Sequence, residues 1–203
     1  MIETERYTAQ TESDAGEEQT VPEGWKVLYS QKDIEEAVEN LVANLLKIKG
    51  IYTKKVILIQ VLESARVFTE YISKGLEAAG INVEVQSIKA SSYNGLPGKR
   101  GDVQITGLEN ISFSEEDIVL VVDDMVDSGA TMKQVLQEIQ AIAQPGSVFS
   151  VVLLEKICSL FKPNYAAITD VPDRWLAGFG INGNAKELGE GDGRPFKKII
   201  AKK

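Results

Sequence analysis

The chain has 203 residues, 43% of them hydrophobic and 26% charged, the proportions of one ordinary globular domain with at most a small appendage. Histidine is absent, which excludes Ser/His and Cys/His nucleophilic dyads and every His-ligated metal site. The single cysteine, Cys158, excludes an internal disulfide framework and suits a reducing, cytoplasmic compartment. A net charge of −8 argues against nucleic acid as a partner, and no apolar run approaches the ~20 residues of a membrane span.

The charge is concentrated at the start: residues 1–23 carry −6 of it. Thr8 to Thr20 contains no Val, Ile, Leu or Phe, so it buries too little surface to offset its ordering entropy. Residues 1–24 are expected to be a flexible acidic tail, and residues 25–203 a single domain.

In chain order, Ser30 and Asp33 have the spacing of a helix-start capping box. Ile34, Val38, Leu41, Leu45 and Ile48 then recur every three or four residues, an amphipathic helix expected to close at Gly50. Lys55–Val61 is almost continuously apolar, as in a strand buried on both faces. A second helix is expected over Ala65–Ala79, closed by Gly80. Val83, Val85 and Ser87 alternate with polar residues and read as a strand. Ala90–Gly101 reads as loop, and Val103–Thr106 as a short strand. Ile118–Val122 is the best candidate for a central strand. A polar loop, a helix over Thr131–Ala143 and a third apolar run, Val148–Leu154, follow. Strand and helix alternating in this way predict an α/β domain with a largely parallel sheet.

The chemistry is concentrated in Ile118–Met132. A buried strand ends in two adjacent acids, Asp123 and Asp124, and a loop of small residues then opens a helix. Ligands of parallel sheets bind beyond the C-terminal strand ends, and helix starts offer free N–H groups to a phosphate. Carboxylates suit sugar hydroxyls, so the segment describes a site for a ribose 5-phosphate. It is neither a Walker loop nor a dinucleotide fingerprint, since both glycine patterns are missing.

Val121–Thr131 resembles the signature of the type I phosphoribosyltransferases, which bind 5-phosphoribosyl-1-pyrophosphate (PRPP). Asp127 before Ser-Gly resembles the purine-salvage branch, the hypoxanthine–guanine phosphoribosyltransferases. Lys89–Tyr93 is similar to the start of that family's mobile loop, Leu153–Lys156 to its purine-recognition lysine segment, and Val171–Gly180 to its base-stacking segment. The resemblance implies the type I fold: a largely parallel twisted sheet flanked by helices, with a small hood from the terminal segments.

It also implies roles. Asp123 and Asp124 would bind the ribose hydroxyls, and Asp127 would be the general acid/base facing purine N7. Ser128, Gly129, Ala130, Thr131 and Met132 would wrap the 5-phosphate. Lys156 would donate to the 6-oxo group, Trp175 would stack on the base, and the Leu176 backbone would read its 2-position. Ser91, Ser92 and Tyr93 would belong to the closing loop, and Ser64, Arg66 and Arg194 to the pyrophosphate side. Mg²⁺ would be held mainly by substrate oxygens, with Asp123, Asp124 and Asn182 as the protein's metal-side positions. The family implies a dimer or tetramer whose partners are PRPP and a purine base, without nucleic acid or membrane.

The departures from the family all lie on the pyrophosphate side. Leu62–Arg66 lacks the expected glycine and carries Glu63, Asn182 stands where a metal-binding aspartate is usual, and Arg194 follows an apparent insertion. The alternative to an active transferase is therefore a weakened or inactive homologue that binds purine nucleotide as a sensor. An RNA-binding regulator on the same fold is disfavoured by the acidic charge.

Overall fold

The computed structural model describes residues 20–92, 103–142, 147–181 and 197–203, with Ser91 and Ser92 in backbone only. The chain order is β1 (Trp25–Tyr29), α1 (Gln31–Leu45), β2 (Val56–Leu62), α2 (Arg66–Ala78), β3 (Val83–Ser92) and β4 (Val103–Thr106). A short 3₁₀ turn precedes β5 (Ile118–Val126), α3 (Ala130–Ile142), β6 (Ser147–Lys156), β7 (Tyr165–Val171), β8 (Leu176–Ala177) and β9 (Ile199–Lys202).

Six strands form one sheet in the order β4-β3-β2-β5-β6-β7, parallel throughout except for β4 at the edge. The chain passes from β2 outward to β3, then returns to place β5 on the other side of β2. That reversal is a topological switch point, and it opens a crevice beyond the C-terminal ends of β2 and β5. The second sheet, in the order β1-β9-β8, is the small hood, built from both terminal segments and the Leu176 region.

Each sheet face has its own core, because successive strand residues point opposite ways. Val56, Leu58, Ile118, Leu120 and Val122 pack with α1, α2 and the hood. Ile57, Ile59, Val119 and Val121 pack with Met132, Val135 and Ile139 of α3. Burial on both faces is why β2 and β5 read as unbroken apolar runs.

Ser30 and Asp33 form the expected capping box, each accepting a hydrogen bond from the other's backbone N–H. The helix stops at Leu45, five residues before Gly50, because a series of turns with Gly50 at positive φ intervenes; Ile48 is buried by those turns, not by the helix. β3 continues through Ser92, where a loop is expected from Ala90 onward, because β4 pairs with its last four residues. β5 likewise continues through Asp123, Asp124, Met125 and Val126, since β6 supplies a partner along that length. Strands β1, β7, β8 and β9 have no counterpart among the predicted elements. Val21 packs against the hood and the Gly24 carbonyl accepts from Lys203 N–H, so the chain joins the fold a few residues before Trp25. Residues 1–19 of the expected tail lie outside the described residues. No helix among the described residues is long and apolar enough to cross a membrane.

Phe68 of α2 is fully buried in the core between helix and sheet. Phe68→Ala is expected to destabilise the protein by about 3–5 kcal/mol, as for an aromatic truncated to Ala in a packed core. Urea unfolding followed by circular dichroism checks it through the fall in midpoint.

Candidate active site

Four strand ends meet at the crevice. β5 brings Asp123 and Asp124, both buried, and the Asp124 N–H donates to Asp123 Oδ1 at 2.9 Å. Burial, then the neighbouring Asp124 charge, holds the Asp123 carboxyl well above its ordinary range. Asp124 is also raised by burial, but hydrogen bonds, including one from the Ser64 hydroxyl, pull it back. The two acids therefore sit where ionisation is costly unless donors or a cation approach them. Hydroxyl donors of a sugar answer that need, and so does a hard divalent cation, for which paired carboxylate oxygens are a fitting donor set.

Ser64 lies in the turn between β2 and α2, next to Glu63. The Arg66 N–H donates to the Glu63 carbonyl at 3.3 Å, while both side chains are exposed. A neighbouring turn fixes this loop from outside. Gly180 has φ +88°, and a Cβ there would come within 2.9 Å of the Ser64 carbonyl oxygen. The turn after the hood strand β8 thus packs directly on the Ser64 loop, which only glycine permits.

Beyond β5, Asp127, Ser128 and Gly129 form the loop that opens α3. The first helical hydrogen bond runs from Lys133 N–H to the Gly129 carbonyl, so the N–H groups of Ala130, Thr131 and Met132 precede the helical ladder. Ser128 Oγ accepts from Ala130 N–H at 3.4 Å. The Met132 side chain is core, leaving its backbone to face a phosphate. Gly129 has φ +80°, and a Cβ would lie 2.1 Å from the Phe161 Cβ. Glycine is expected here for close approach of a ligand; the structure adds an intramolecular reason, the packing of Phe161 on the loop. Ser159 holds Phe161 by accepting from its N–H and donating to its carbonyl.

β6 ends at Lys156, a lysine with only 6% of its surface exposed. Its ammonium lies 3.3 Å from Asp127 Oδ2 and 3.1 Å from Asp173 Oδ1. Burial disfavours its charge, but the hydrogen bonds it donates to the two carboxylates, and their negative charge, outweigh that and raise its pKa. Cys158 Sγ lies 3.5 Å from Asp127 Oδ1, and desolvation with the nearby carboxylates pushes the thiol up, so it stands as a neutral donor. Asp127, Cys158 and Asp173 are spaced closely enough to share a cation, and the cation between the two acids is Lys156. Two residues beyond Asp173, Trp175 is 63% exposed, outside the core, which leaves a face free to stack. Leu176 is buried, with its backbone paired to Ala201 in the hood.

The fold therefore brings together Ser64, Arg66, Asp123, Asp124, Asp127, the Ser128–Met132 cradle, Lys156, Trp175 and Leu176 toward the C-terminal end of the parallel strands. The backbone of Ser91 and Ser92 ends β3 at the same end. Tyr93, Asn182 and Arg194 lie outside the described residues. Three participants escape sequence reasoning. Asp173 had a signal, an acid beside Pro172 in the same segment as Trp175. Cys158, the only cysteine, lies two residues past Lys156. Phe161 had none, because its partner Gly129 is distant in sequence.

The raised carboxyl of Asp123 makes a prediction about stability. With the folded pKa above the unfolded one, the native state binds the extra proton, so stability falls as pH rises from the unfolded value through the folded one. Asp123→Asn removes that loss. In divalent-free buffer it is expected to raise the thermal midpoint at neutral pH, with the gain shrinking as pH is lowered. Calorimetric scans across pH check it.

A family model described as phosphoribosyl transferase domain matches residues 24–182. The chain is similar to the hypoxanthine phosphoribosyltransferase of Buchnera aphidicola subsp. Schizaphis graminum, at 31% identity over 163 residues, which cover 77% of this chain and 87% of that protein. It is similar to the hypoxanthine-guanine phosphoribosyltransferase of Dictyostelium discoideum, at 27% identity over 161 residues, again 77% and 87%. The solved hypoxanthine phosphoribosyltransferase of Trypanosoma cruzi in complex with the product IMP superposes with a TM-score of 0.74 at 23% identity. That superposition covers 93% of this chain and 98% of that one, a likeness of fold. The chain belongs to the phosphoribosyl transferase domain family, alongside the hypoxanthine and hypoxanthine-guanine phosphoribosyltransferases.

Proposed function

We propose that this protein is a purine-salvage transferase that moves the 5-phosphoribosyl group from PRPP to N9 of a 6-oxopurine, giving the nucleoside 5-monophosphate and pyrophosphate. One observation carries the reading. A crevice at the sheet's switch point holds buried carboxylates, a phosphate-type helix start and a buried lysine beside an acid, with an exposed tryptophan on the adjoining segment. The purine relatives of similar length support it, and no observation favours the inactive alternative.

Each group has a task. The cradle from Ser128 to Met132 holds the 5-phosphate on its N–H groups and the helix dipole. Asp123 and Asp124 accept from the ribose hydroxyls, and their charge favours the cationic ribose that forms as pyrophosphate departs. Trp175 and the Leu176 backbone fix the base, so that N9 lines up with C1 of the ribose. Lys156 donates to the 6-oxo oxygen. Asp127, 3.3 Å from that lysine, exchanges the proton at N7 as N9 forms its bond. Mg²⁺, held by substrate oxygens with Asp123 and Asp124 alongside, would offset the pyrophosphate charge. Asn182 and Arg194 complete the proposed pyrophosphate side. A homo-oligomer, dimer or tetramer, working in the cytoplasm completes the reading.

PRPP-dependent turnover of hypoxanthine, guanine and xanthine, followed by chromatography, tests it. Formation of a nucleoside monophosphate from at least one base is the expected result, and none from any base refutes the reading. Asp127→Asn is expected to lower kcat by ~10²–10⁴, the size of a lost acid/base contribution. Nucleoside monophosphate should still bind, measured by calorimetry. Unchanged turnover would remove Asp127 from the chemistry.

A further inference from the structure

We infer that Asp173 is a positioning residue for base recognition: it is the permanent counter-ion of Lys156, and it leaves Asp127 free to carry a proton. The inference rests on the transferase reading above.

The chain goes to some length to place this carboxylate. In the β6–β7 ladder Leu154 faces Ile168, but Lys156 faces Val171. One residue of β6, Glu155, therefore opposes two of β7, Thr169 and Asp170. This is a bulge, with Asp170 in the left-handed region at φ 57°. Bulges of this kind re-aim the residues that follow. Beyond it, Ile157 N–H donates to the Val171 carbonyl at 2.8 Å, tying the two strand ends together. Arg174 N–H then closes on the Pro172 carbonyl at 2.8 Å. Asp173 sits at the middle of that three-residue turn, and its Oδ1 arrives 3.1 Å from the Lys156 ammonium.

The reaction explains why a second acid is needed. An ammonium has three protons. One reaches Asp127, one Asp173, and the third remains for an acceptor on the base. When Asp127 takes up a proton it loses its charge. Were it the only partner, a buried lysine would be left without a counter-ion, a costly state. With Asp173 in place, Lys156 stays paired throughout and keeps its aim at the 6-oxo oxygen. Asp173 itself is largely exposed and need not touch the base.

The test is a double-mutant cycle on the full-length protein, with Asp173→Asn made in the wild type and in Lys156→Gln. If Asp173 acts through Lys156, the single change lowers kcat/KM for hypoxanthine by roughly tenfold, within the range of direct pairwise coupling. The KM for PRPP should not change. In the Lys156→Gln background the same substitution should have no further effect, and Asp173→Glu should recover part of the loss. Because Asp173 is exposed and Asp127 still pairs with Lys156, Asp173→Asn and Asp173→Glu should keep the wild-type thermal midpoint. An equal loss in both backgrounds, or no loss in either, overturns the assignment while leaving the transferase reading intact. A wild type that converts no purine base refutes that reading, and this inference with it.

Discussion

Strand β5 carries two carboxylates into a place where neither is stable as an anion without help, and the rest of the site is arranged around that fact. Asp123 and Asp124 extend an apolar strand whose preceding five residues are wholly buried. Hydrogen bonds from Ser64 and from the strand's own N–H groups relieve part of the cost. What remains unmet is a demand for donors or positive charge at one point in the crevice. On the proposed reading, a ribose would supply two hydroxyl donors and its cationic transition state would add charge, so the unmet demand would be larger before the reaction than during it. That difference is what catalysis requires of an electrostatic environment.

Precision at this point depends on loops packed against loops. Gly180, in the segment that follows Trp175, packs on the Ser64 carbonyl, and Gly129, in the loop before α3, packs on Phe161, from the segment that follows Lys156. In both cases glycine is required twice over, by positive φ and by contact. The Ser64 turn and the loop before α3 are therefore each braced by a segment from elsewhere in the chain.

The sequence was most legible where one face or two had to be apolar. β2, β5, α1 and α2 follow directly from such patterns, as does the acid pair at a strand end. It was least legible where pairing, not burial, decides. β1 and β9 make strands because each completes the other's hydrogen bonds across the length of the chain, and no local run announces that. The extension of β3 into Ala90–Ser92 depends on β4 in the same way. Among site residues, Asp123, Asp124, Asp127 and Lys156 could be named from local pattern and family likeness. Asp173 could not be separated from an ordinary turn acid until the bulge in β7 placed it against Lys156.

The departures on the pyrophosphate side acquire a physical meaning in this arrangement. Around the crevice, among the described residues, the carboxylates Glu63, Asp123, Asp124, Asp127 and Asp173 outnumber the cations Arg66, Lys89 and Lys156. Lys156 is already neutralised by its two acids. Among the described residues, Arg66 and Lys89 are then the side-chain cations of this set not paired to two acids. On the proposed reading, the α3 N-terminus would add favourable charge at the phosphate end and a divalent cation at the pyrophosphate end. Glu63, exposed and turned to solvent, is tolerable there because water screens it, whereas a buried acid at the same position would repel the leaving group in a low-dielectric setting. The fold can therefore accept an acid in this loop at modest expense, provided the Ser64 contact with Asp124 and the Gly180 contact behind it are kept.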